Sequence, residues 1–95
     1  MSDKEEPVSI DLTAFELEDL LGLFIGILSD KAWQYMGVRL APGKKEAAKD
    51  LAKARLTIDC VSYLTNTLAP SLSTEAVSKL RSNLADIQLN YVKQA

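Results

Sequence analysis

The chain has 95 residues, 47% hydrophobic and 25% charged, with a formal net charge of −2. That length makes one domain, and the balance excludes both a disordered polyelectrolyte and a nucleic-acid binder, which neutralises phosphates with a surplus of Lys and Arg. With no histidine and a single cysteine, Cys60, the chain has no His-assisted nucleophile and no intrachain disulfide, and a structural zinc site, which draws on Cys and His, is not expected.

Residues 1–10 carry Asp3, Glu5 and Glu6 and little to bury. They read as a flexible acidic arm ahead of a single helical domain over 11–95. Their character is the reverse of a signal or transit peptide, which makes the cytoplasm the expected compartment.

The first helix is predicted over about 13–36. Thr13 and Glu16 have capping-box spacing, and Leu12 and Leu17 sit at the staple positions. Gly37 is placed to stop the helix in a left-handed conformation. Apolar residues at 17, 20, 21, 24, 27, 28, 32 and 35 mark one broad face, and Leu23, Ile25 and Trp33 widen it. A helix apolar nearly all round must be buried nearly all round.

Within that helix "LLGLFIGIL" runs from Leu20 to Leu28, nine residues without a charge. As a helix it is roughly 14 Å long, half of what a bilayer requires. Its flanks are acidic (Glu16, Glu18, Asp19), whereas an interfacial helix prefers Lys and Arg. Membrane binding is therefore not expected. Gly22 and Gly26 each cost about 0.8–1 kcal/mol relative to Ala inside a helix. Close approach of another helix is one return on that cost; chance spacing of a common residue is the other reading.

"GVRLAPGKK" is a connection punctuated by Gly37, Pro42 and Gly43. The second helix is predicted from Lys44 or Lys45 to Leu68, with core positions 47, 51, 54, 58, 61, 65 and 68 in alternating steps of four and three. Lys44, Lys45, Lys49 and Lys53 alternate with Glu46 and Asp50, as on a solvated helix face. Cys60, between core positions 58 and 61, is read as a small buried hydrophobe. Arg55 and Asp59 have the spacing of a helical ion pair, and Asp50, Arg55 and Asp59 are taken as structural polar residues. Pro70 ends the helix. Ser73 can cap a third over 73–94, which presents Val77, Leu80, Leu84, Ile87 and Tyr91.

The expected fold is thus all-α, a three-helix hairpin-like bundle that completes its core by oligomerisation. Leu20, Leu21, Gly22, Leu23, Phe24, Ile25, Gly26, Ile27 and Leu28 are the candidate oligomer interface. The motive is area: burying a large apolar side chain is worth about 1.5–3 kcal/mol, and one partner helix cannot cover every side of the first.

The stretch "DLAKARLTID", Asp50 to Asp59, resembles the Asp-Leu, Ala-Arg and Ile-Asp pattern of an uncharacterised bacterial family known as domain of unknown function 1844. Ala32 and Gly37 match the end of that family's first helix. Leu72, Glu75, Leu80, Leu84 and Tyr91 match its last. The resemblance runs from Leu23 to the C-terminus, and departs from the family at the turn "PSLST" and at Gln88, where an Arg is common. It implies a helical fold and a bacterial origin, and carries over no catalytic residue.

The expected function is a non-enzymatic helical homo-oligomer, an interaction or scaffold module with no cofactor or metal. Its partner is a second copy of itself, with another protein docking on the same face as a variant of that reading. The alternative is a small-molecule- or metal-binding protein, even an enzyme, using Asp50 and Asp59 at a subunit junction.

Overall fold

A computed structural model describes residues 11–95, and the acidic arm read over 1–10 lies outside them. Three α-helices follow one another, α1 (Leu17–Tyr35), α2 (Leu51–Leu68) and α3 (Thr74–Gln94), with no strand among the described residues. The fold is all-α, as the periodicity predicts.

α1 starts later than the capping box suggests. The Asp11 carboxylate accepts from both the backbone N–H and the hydroxyl of Thr13, at 3.0 and 2.6 Å. Thr13 is thereby turned away from the helix to come, and Leu12–Ala14 form a short 3₁₀ turn. Phe15 and Glu16 are extended, and Glu16 is the N-cap without a side-chain bond. These two bonds also hold the Asp11 carboxyl below its ordinary range. The other end is as expected. Gly37 has φ +80°, and the N–H groups of Val38 and Arg39 return to the Trp33 carbonyl at 3.2 and 3.3 Å.

The second helix also starts late, at Leu51 rather than Lys44 or Lys45. Ala41–Lys44 close a turn with Pro42 and a left-handed Gly43 (φ +77°) at its centre. Lys44, Lys45, Ala47 and Lys49 are exposed loop residues, so the expected core position 47 and the expected lysine face of a helix are both absent. The start is set at Asp50. Its N–H donates to the Tyr35 carbonyl at 2.7 Å, tying it to the end of α1. Its carboxylate accepts from the Lys53 N–H at 3.1 Å, capping α2. Earlier residues would extend past the end of α1 with nothing to pack against, and unpacked helical turns are marginal in water.

At the end of α2, Ala69–Ser71 tighten into a 3₁₀ turn around Pro70. Ser73 caps α3 as predicted, its hydroxyl accepting from the Ala76 N–H at 3.1 Å.

α2 is the central element. Its Ala54, Ile58, Val61 and Leu68 meet Ile25 and Ala32 of α1, Met36 at that helix's C-cap, and Leu84 and Ile87 of α3 in one core. α1 and α2 run antiparallel: Tyr35 lies by Asp50 and Lys53, and Leu28 lies by Cys60 and Leu64. α3 joins from the other side. Asn83 donates to the Ser29 hydroxyl at 2.9 Å, and that hydroxyl donates to the Ile25 carbonyl at 2.6 Å. Arg81 donates to the Asn66 side chain at 2.8 Å.

Cys60 is exposed, against the expectation of burial. Two residues along a helix is a rotation of about 200°. Cys60 thus faces away from Ile58 although it adjoins it in sequence.

Candidate interaction surface

The nine residues of the apolar run divide by position around α1. Ile25 is 1% exposed and belongs to the chain's own core, with Leu21 and Leu28 packed partly against it. Leu20 is half-buried. Leu23, Phe24 and Ile27 are exposed, Ile27 by 50%. Leu17, a turn earlier, is 62% exposed and continues the strip. The local cause is plain in the sequence. α1 is apolar around its circumference, whereas α2 and α3 together cover little more than the side through Ile25, Ser29 and Ala32.

Gly22 and Gly26 lie on a different side from Phe24. They line an open groove of about 660 Å³ between α1 and α3, with Leu80 and Asn83 opposite. A Cβ added at either would meet nothing within 4 Å. Within one chain these glycines therefore permit no close helix contact. The rim of the groove carries an ion pair, Arg39 to Asp30 at 2.8 Å, both well exposed. Pairs in that setting contribute little.

The exposed apolar surface extends beyond the predicted run. On α2, Leu56 and Tyr63 are 64% and 70% exposed, with Cys60 between them at helical spacing. A shallow groove of about 360 Å³ joins the two helices there, lined by Leu28, Cys60, Tyr63 and Leu64 with Asp59 at its edge. Sequence reasoning missed this second strip because it assigned Cys60 to the core. The signal was present as Leu56, Cys60 and Tyr63 at steps of four and three, out of phase with the core positions by about half a turn.

The polar residues singled out from the sequence separate as well. Asp50 is the α2 cap. Arg55 and Asp59 make no ion pair with each other; instead both line a groove of about 250 Å³ facing Gln88, Tyr91 and Val92 of α3. Asp50 is at the start of α2, outside that groove, and the structure does not bring Asp50 and Asp59 together in one pocket. Among the described residues no three Cys, Asp or Glu side chains gather as a metal site would require. At the α1–α2 junction, Lys31 lies 4.8 Å and Lys53 5.8 Å from the centre of the Tyr35 ring. No helix among the described residues is long and apolar enough to cross a membrane.

Comparison with curated proteins and with solved structures finds no match. A family comparison matches residues 19–93 to the domain of unknown function DUF1844. That span takes in the whole core and all but the outermost residues of the three helices, and by it the chain belongs to the DUF1844 family.

Proposed function

We propose that this chain is a non-enzymatic helical homo-oligomer, most simply a dimer, acting as an interaction or scaffold module through α1. The observation that carries the reading is the outer side of that helix, where Leu17, Phe24 and Ile27 are 62%, 37% and 50% exposed. Fully burying an exposed side chain of this kind is worth about 1.5–3 kcal/mol, and at these exposures about half of that is unrealised at each position, against a typical total stability of about 5–15 kcal/mol. A second copy is the simplest cover, since a two-fold axis makes any patch meet itself. The cytoplasm is the compartment we propose. An exposed, unpaired thiol at Cys60 suits a reducing environment.

Sedimentation velocity at micromolar concentration tests the reading. The wild type is expected well above the 10.4 kDa of one chain. Two neighbouring substitutions then separate interface from core. Phe24→Glu places a charge on the outer side and is expected to dissociate the oligomer. Ile25→Glu buries a charge in the chain's own core and is expected to unfold it. A wild type that stays a folded 10.4 kDa monomer at high micromolar concentration overturns the proposal.

A further inference from the structure

We propose, resting on the homo-oligomer reading above, that the second copy covers α2 as well as α1. Two α1–α2 pairs would pack face to face as a two-fold four-helix bundle, with Leu56, Cys60 and Tyr63 inside it and α3 outside.

The first argument is continuity. Cys60 and Tyr63 line one apolar groove with half-buried Leu28 and Leu64, and by helical spacing Phe24 and Leu17 continue the side of α1 that carries Leu28, as Leu56 continues the side of α2 that carries Cys60. α3 does not reach this side. Its bond to α1 is made at Ser29, about 140° around the helix from Phe24.

The second argument is area. The two strips together present Leu17, Phe24, Leu56 and Tyr63 at 62%, 37%, 64% and 70% exposure, where a stable interface takes roughly 800 Å² from each partner. Neither strip reaches that alone. The competing surfaces are smaller or more polar. On α3, Leu89 and Val92 are exposed but stand among Asp86, Asn90 and Lys93. The glycine groove takes Leu23 and Ile27 but has Asp30, Arg39 and Asn83 on its walls.

The third argument is charge. One end of the apolar face carries Lys31 and Lys53 around Tyr35. The other end is the start of α1, where Glu16, Glu18 and Asp19 gather. A two-fold axis perpendicular to the helices brings the basic end of one copy to the acidic end of the other. A parallel arrangement would set like charges together. The charges therefore select the antiparallel bundle.

The experiment uses the full chain and pairs sedimentation velocity with the labelling rate of Cys60 by dithionitrobenzoate. In the dimer Cys60 is expected to react about tenfold or more slowly than free cysteine. Leu56→Glu and Tyr63→Glu are expected to sediment as monomers. Leu89→Glu, a comparably exposed site on α3, is expected to remain dimeric. A wild-type dimer whose Cys60 labels as fast as free cysteine overturns this inference while leaving the oligomer reading standing. So does a dimeric Leu56→Glu or Tyr63→Glu. A wild-type monomer overturns both. Since a variant can fail to fold, the wild-type labelling rate decides without any substitution.

Discussion

Thr65 sits on α2 with 0% exposure, and its hydroxyl has no hydrogen-bond partner among the described residues. A buried, unpaired hydroxyl costs on the order of 1–3 kcal/mol. Valine has nearly the same shape and nothing to satisfy. Thr65→Val is expected to stabilise the fold by about 1–2 kcal/mol, read as a higher urea midpoint at unchanged slope. A lower midpoint would show that the hydroxyl has a partner after all. The buried hydroxyl of Ser29 on α1 differs because it both donates to Ile25 and accepts from Asn83. At this scale the sequence was readable in part. Thr65 fell on the predicted core seam, and the cap at Ser73 formed as its spacing suggested. Cys60 was misplaced because adjacency to Ile58 and Val61 along the chain was taken for adjacency on the helix surface. Arg55 and Asp59 had the spacing of a pair, yet spacing permits an ion pair without requiring one.

Helix ends were harder to read than helix faces, for a physical reason. A face is fixed by many side chains acting together, while an end is decided by one or two hydrogen bonds. Asp11 took the Thr13 N–H and hydroxyl, and the first helix slipped to Leu17. Asp50 took the Lys53 N–H and the second helix began there, leaving the good helix formers of "KKEAAK" in a loop. The glycines of α1 remain the element's open question, and one substitution answers it. A methyl group at Gly26 meets nothing within 4 Å. In the bundle proposed above, Gly26 lies on the side of α1 that borders α3, away from the partner. Gly26→Ala is then expected to stabilise the protein by about 0.8–1 kcal/mol through helix propensity alone, with its sedimentation unchanged. Destabilisation or a change in mass would place a second backbone against Gly26. The interface would then move to the groove between α1 and α3.

The described residues, 11–95, are extended, 51 × 39 × 19 Å with a radius of gyration of 16.0 Å, where a compact chain of that length has about 12 Å. The fold class was legible because three periodic apolar patterns, each bounded by Gly, Pro or a capping Ser, leave no room for another arrangement. What covers the outer face was not, because periodicity counts apolar positions without saying which neighbour each one meets. Three helices with one small core between them sit at a size where a chain folded alone is marginally stable. If a second copy supplies the missing half of the core, folding and association are one equilibrium, and stability must depend on concentration. For a dimer that unfolds as it dissociates, a tenfold rise in protein adds about 1.4 kcal/mol to the free energy balance. At the urea slopes of small proteins the midpoint should therefore rise by about 0.5–1 M for each tenfold increase. Measured by circular dichroism from low to high micromolar, a midpoint that moves by this amount and coincides with loss of the dimer in sedimentation would establish the coupling. A midpoint independent of concentration would mean that each chain holds its fold alone, with Leu17, Phe24, Ile27, Leu56 and Tyr63 in water.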